Sequence, residues 1–97
     1  MILKMHPEAR LELREAIAYY EDCRVGLGLE FSREIYASMK RIAETPMLWS
    51  KLSIHSRRFL TKRFPYSIIY QHLNDSVLIV AVAHQSRKPG YWKNRLR

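Results

Sequence analysis

The run Ser76-Val77-Leu78-Ile79-Val80-Ala81-Val82-Ala83-His84 decides how the rest of the chain is read. From Val77 to Ala83 every side chain is apolar, and Val and Ile dominate. A short run of that kind predicts a strand over 76–83, and the lack of polar alternation predicts an inner strand covered on both faces. A helix is the competing reading for so apolar a segment, and the β-branched content argues against it.

Working outward, Asn74-Asp75 is a turn signal that joins this strand to a β-run over Ser67–His72. Pro65-Tyr66 interrupts, and Arg57–Phe64 reads as a further strand with charged residues flanking Phe59 and Leu60. Tyr66, Ile68 and Tyr70 are evenly spaced and so share one sheet face. Residues 46–56, with Trp49 among them, read as an irregular loop. Further upstream, Ala9, Leu13, Ala16, Ile17 and Tyr20 trace one face of a helix over about 7–23, started by Pro7 and Glu8. Tyr20 is the more buried of the pair Tyr19-Tyr20. Gly26 and Gly28 break that helix. Phe31, Ile35, Met39 and Ile42 mark a second helix, which Thr45-Pro46 stops. The short connection predicts an antiparallel helical hairpin, and Ile2–Met5 reads as a short strand before it. The predicted order is β-α-α-β-β-β, an α+β fold with the helical hairpin packed on one face of a mainly antiparallel sheet, in a single domain over 1–97.

The chain carries 17 Lys and Arg against 9 Asp and Glu, a net charge of +8 and a pI near 10.0. This excess lies wholly in the second half, where residues 45–97 hold ten bases and Asp75 as the sole acid. Such segregation favours an acidic partner over a merely solvated face. With helices on one side of the sheet, the other side and the strand ends are expected to form a long basic groove. Cys23 is the only cysteine, which rules out an internal disulfide and fits a reducing compartment. His6, His55, His72 and His84 lack metal-ligand spacing, so no metal site is expected, and no Gly-rich phosphate loop or nucleophile elbow points to a cofactor or covalent catalysis. The apolar N-terminal stretch is too short for a signal peptide and no run approaches membrane-spanning length, so a cytoplasmic location without a membrane partner is expected.

Candidate functional residues cluster after the inner strand. His84 follows it directly, and a histidine there is either a general base or, as the preferred reading, a ring hydrogen-bonded to neighbouring backbone. Tyr91 and Trp92 stand among Arg87, Lys88, Lys93, Arg95 and Arg97, a mixture that suits nucleic-acid stacking or a protein hot spot. For Trp92 the preferred reading is a tail that folds back over the core edge. Arg57-Arg58 and Lys62-Arg63 form a second basic cluster.

Several weak motifs in a fixed order make the chain resemble the RelE/ParE family of bacterial toxins, especially its ParE-like branch. They are Pro7 with Ala9, Ala16 with Tyr19-Tyr20, Gly26-Leu27-Gly28 with Phe31, Pro46, the block from Arg58 through Phe64-Pro65-Tyr66 to Tyr70, and the ending from Val80-Ala81-Val82-Ala83-His84 to Pro89-Gly90-Tyr91-Trp92 and Arg95. The resemblance implies the same β-α-α-β-β-β fold and the toxin of a type II toxin–antitoxin pair, neutralised by a cognate antitoxin protein. ParE-like members poison DNA gyrase, whereas RelE-like members cut mRNA on the ribosome. In the ribonuclease branch cations and a C-terminal tyrosine serve the cleavage; Tyr91 takes the tyrosine's place here, but Ser67 and Gln85 stand where that branch has arginines. Two missing cations would leave transition-state charge unclamped. The expected target-binding set is Arg58, Arg87, Tyr91, Trp92 and Arg95, with DNA gyrase as target. The alternative, a ribosome-dependent endonuclease acting on mRNA, would draw on Arg63, His84 and Tyr91.

Overall fold

The computed structural model describes residues 1–97. Its elements are β1 (Ile2–Met5), α1 (Pro7–Cys23), α2 (Leu27–Glu44), β2 (Ser50–Lys51), β3 (Arg57–Leu60), β4 (Tyr66–His72) and β5 (Ser76–His84), followed by a 3-10 turn at Lys93–Arg95. The five strands lie in the order β1-β5-β4-β3-β2, with β1 parallel to β5 and every other pair antiparallel. This is the expected α+β fold, with one short strand added. β2 lies inside the predicted loop, where Ser50 and Lys51 pair with Arg58 and Arg57.

The start of α1 follows from local chemistry. His6 caps it by accepting the Glu8 backbone N–H on Nδ1, and Pro7 fills a position whose N–H has no helical partner. The start of α2 is built differently. Gly26 turns the chain in the left-handed region (φ 89°) and offers no side-chain cap. The Glu21 carboxylate of α1 supplies one instead, accepting the N–H groups of Gly26 and Gly28 at 3.0 Å each. An anion at a helix N-terminus also complements the helix dipole.

Gly28 is a residue of α2, not of the break before it, and its role is close approach. A Cβ there would lie 2.7 Å from the Ile17 carbonyl oxygen and 3.0 Å from Glu21 Cβ. Gly28→Ala is therefore expected to push α1 and α2 apart and to cost about 1–3 kcal/mol, the usual range for overpacking. Urea denaturation reads this directly, and an unchanged midpoint would mean that the hairpin absorbs a methyl group freely.

The helices cover one sheet face. Ala9, Leu13 and Ala16 from α1 and Phe31, Ile35, Met39 and Ile42 from α2 pack on Phe59, Tyr66, Ile68, Tyr70, Val77, Ile79 and Val82. Tyr66, Ile68 and Tyr70 do share that face, and the Tyr70 hydroxyl, buried with its ring, donates to the Pro46 carbonyl at 2.6 Å. β3 ends at Leu60, earlier than its sequence suggests. Thr61 turns the chain by donating its hydroxyl to the carbonyls of Phe64 and Tyr66, while Glu34 of α2 accepts the N–H groups of Lys62 and Arg63.

The second face is not the open basic surface the charge pattern suggests. Ile69, Leu78, Val80 and Ala81 form a small apolar cluster on it, and Tyr91, Trp92 and Leu96 of the C-terminal tail lie against them. Covering the outer side chains of so apolar a strand with the tail removes them from water, which stabilises the fold. No helix is long and apolar enough to cross a membrane.

Candidate functional site

The site begins with an irregularity in β5. Ile69 pairs with Ala81 and Tyr70 with Ile79, so Val80 is an extra residue on β5. Parity changes there: Val77, Ile79 and Val82 face the helices, while Leu78, Val80 and Ala81 face the tail. The pairing of β1 ends at Met5 with Ile79, so β5 has no strand on that side beyond the bulge.

Two charged side chains stand in for the missing strand. Arg95 Nη1 donates to the Val80 carbonyl at 3.1 Å, and Glu12 Oε1 accepts the Val82 N–H at 3.0 Å. The same two groups pair with each other, Nη1 to Oε1 at 3.0 Å and Nη2 to Oε2 at 3.2 Å. Tyr91 Oη donates to Glu12 Oε2 at 2.6 Å, and Arg87 Nη1 lies 3.6 Å from that oxygen. One carboxylate of α1 thus holds the bulge and the tail together. Burial, and then the bond to the Glu12 carboxylate, push the Tyr91 phenol far above its ordinary range.

Between this tail and the β2–β3 hairpin lies a groove of about 470 Å³. Its floor is Ser67, Ile69 and Ala83; Trp92, Lys93 and Leu96 form one wall, and Leu52, Ser56 and Arg58 the other. His84, Gln85 and Arg87 close one end. Neither Arg58 nor Lys93 makes an ion pair; all five ion pairs of the chain involve Arg24, Arg63, Arg87 or Arg95. The basic groove is real, but it is shorter than a whole sheet face, because the tail occupies the rest.

Of the residues expected to meet a target, Arg58, Arg87 and Trp92 line this groove, and Arg87 is 54% exposed with its guanidinium 3.8 Å above the Tyr91 ring. Trp92 is half-buried and meets Tyr91 edge to face, so it covers the second apolar cluster and lines the groove at once. Arg95 departs from expectation. Its side chain is 10% exposed and is spent on Glu12 and Val80, so it serves the fold rather than the surface. Tyr91 likewise turns its hydroxyl inward.

The residues named for RNA cleavage do not converge. Arg63 pairs with Glu30 of α2 and is no part of the groove; its guanidinium holds the Glu30 carboxyl below the usual range. His84 accepts the Ser86 backbone N–H on Nδ1 at 3.0 Å, which is the backbone-bonded arrangement and leaves the proton of the neutral ring on Nε2. The Tyr91 proton is held by Glu12. Glu12 itself is a key residue that no sequence motif announces. The one available signal is an acid placed beside the buried stripe of Ala9, Leu13 and Ala16 in a chain whose second half is almost free of acids.

A family model described as the ParE toxin of the type II toxin–antitoxin system parDE matches residues 3–89. The chain belongs to the ParE toxin family. It is 27% identical over 88 residues to Toxin ParE2 of Mycobacterium tuberculosis, in strains CDC 1551 / Oshkosh and ATCC 25618 / H37Rv, an alignment that spans 90% of this chain and 84% of the relative. Its fold is similar to that of a chain from the chromosomal ParDE toxin–antitoxin system of P. aeruginosa, with a TM-score of 0.74 and 17% identity over 87% of this chain and 95% of that one. This ParE toxin therefore has the fold of its family, and its C-terminal segment after residue 89, which completes the Glu12 cluster, lies just outside the matched region.

Proposed function

We propose that this ParE toxin acts in the cytoplasm by holding a protein target, DNA gyrase, in the groove between the tail and the β2–β3 hairpin, and that a cognate antitoxin neutralises it. The observation that carries the reading is the disposition of its polar groups. Arg58, Arg87 and Lys93 offer positive charge around a largely apolar floor, which suits a protein surface with acidic and apolar residues. The groups a nuclease would use are committed elsewhere: Tyr91 to Glu12, Arg63 to Glu30, and His84 Nδ1 to the Ser86 backbone N–H.

A supercoiling assay with purified toxin tests this. Inhibition or trapped cleavage complexes are expected, with ribosome-bound mRNA left whole. The pair Arg58→Ala and Arg87→Ala is expected to weaken inhibition at least about tenfold, the usual effect of losing interface charges. The melting temperature should barely move, because exposed cations contribute about 0–1 kcal/mol each to folding. Ribosome-dependent cuts that fall roughly a hundredfold in Tyr91→Phe, as expected for loss of an acid–base group, would instead establish the endonuclease.

A further inference from the structure

The groove has two walls, and on the one opposite the tail the sequence draws attention only to Arg58. The opposite wall is the β2–β3 hairpin, whose connection presents Ile54 with 90% of its surface exposed. An isoleucine so placed contributes nothing to the core. Met47 shares a second, smaller groove with it, and Leu52 faces the main groove. Leu48 nearby is exposed as well. Four exposed apolar side chains within one short segment of a highly charged protein point to a contact surface.

The connection is held in one shape. Leu52 and Ser53 donate their N–H groups to the Ser56 carbonyl at 2.9 and 3.3 Å, the Ser53 and Ser56 hydroxyls meet at 2.8 Å, and the His55 N–H donates to Ser53 Oγ at 3.2 Å. Ser56 is buried beneath it. Arg57 fastens the base by donating to the Met47 and Trp49 carbonyls at 3.0 and 2.8 Å. A tip ordered in advance gives up little freedom on binding, so its apolar area converts to affinity more fully than that of a mobile loop.

Charge identifies the kind of partner. Lys51, Arg57 and Arg58 flank the tip, and no acid occurs between residues 45 and 74. We infer that the tip Leu52–His55, with Ile54 at its apex, is an anchor that enters an apolar pocket rimmed by carboxylates on the protein target of this toxin. The inference rests on the reading that the toxin acts by holding a protein, and it extends the contact surface across the groove from Arg87 and Trp92 to the hairpin.

The test compares Ile54→Ser, Ile54→Glu and Ile54→Leu, each expressed without antitoxin, with the toxin amount at half-maximal growth arrest as readout. Ile54→Ser is expected to need roughly tenfold to a hundredfold more toxin, the equivalent of withholding one buried isoleucine side chain. Ile54→Glu should need more still, since it meets acids of its own sign, and Ile54→Leu should stay within about twofold of wild type, as a volume-conserving change does. Melting temperatures should match throughout, because the side chain touches solvent. If wild type arrests growth but leaves gyrase supercoiling intact while Ile54→Ser loses arrest, the gyrase reading fails and the anchor stands. Arrest by Ile54→Ser at wild-type amounts overturns the anchor whatever the target. Loss of antitoxin binding with unchanged arrest overturns it too, by giving the tip to the antitoxin. A wild-type chain that arrests nothing has no target for the tip to hold, which also overturns it.

Discussion

Glu12→Ala is expected to remove a large share of the stability of this ParE toxin. The substitution leaves the Arg95 guanidinium almost buried with only the exposed Glu8, 3.9 Å away, as a carboxylate partner. The Val82 N–H and the Tyr91 hydroxyl lose their acceptor in the same step. Removing one member of a buried ion pair costs about 3–5 kcal/mol, because the other charge stays desolvated and uncompensated. Set against the roughly 5–15 kcal/mol by which a domain of this kind is stable, that loss is a large share, and at the lower end of the range it brings the chain close to unfolding. Glu12→Gln keeps the shape and an acceptor for Val82, so its effect should be smaller. Pairing Glu12→Leu with Arg95→Met removes both charges at once, and the double variant should be more stable than Glu12→Ala alone. Urea denaturation of the four proteins checks the order, and a wild-type midpoint for Glu12→Ala would show that the tail is held by its apolar contacts without the carboxylate.

The same cluster marks where the sequence stops being informative. The helices are legible because their apolar residues recur with helical spacing, and the hairpin follows from the short connection at Gly26. β5 is legible as a covered strand for the reason that hides its bulge. Val77 to Ala83 are apolar at every position, so no alternation records the change of face at Val80. Arg95 reads as a surface cation because arginines are seldom buried without a partner, and its partner lies 83 positions away. Only the return of the tail past the end of β1 brings Arg95 to Glu12. Nor does composition reveal that the tail covers the second sheet face. Ten bases in the second half suggest an open basic surface, while Tyr91, Trp92 and Leu96 close much of it. The Ile54 tip escapes notice for a plainer reason: an apolar residue in a loop is read as a loop residue until its exposure is known.

Raising the pH above about 10 is expected to destabilise the protein steeply, and to unfold it cooperatively once its stability is used up. Burial pushes the Tyr66 and Tyr70 phenols up to about 12, and Tyr91 rises further under burial and its bond to Glu12. Each of these groups binds its proton more tightly when folded. Its contribution to stability is therefore complete below the unfolded value near 10 and is lost as the pH climbs toward the folded value. Above pH 10 each such phenol removes about 1.4 kcal/mol per pH unit, so three together remove roughly 4 kcal/mol per unit. Over two units that comes to roughly 8 kcal/mol, which takes up the whole stability of a domain in the lower part of the usual range of about 5–15 kcal/mol. Tyr19 and Tyr36 are exposed and absorb apart from the core. The share of tyrosinate absorbance from Tyr66, Tyr70 and Tyr91 should appear together with the far-ultraviolet circular dichroism change, because these phenols ionise only when the core opens. Tyr91→Phe should make the loss less steep, since the ring stays in place while its titrating proton is gone. Tyrosinate absorbance that reaches completion while the dichroism keeps its native value would mean that all three phenols meet solvent in the folded chain, and that Glu12 does not hold the tail as its geometry implies.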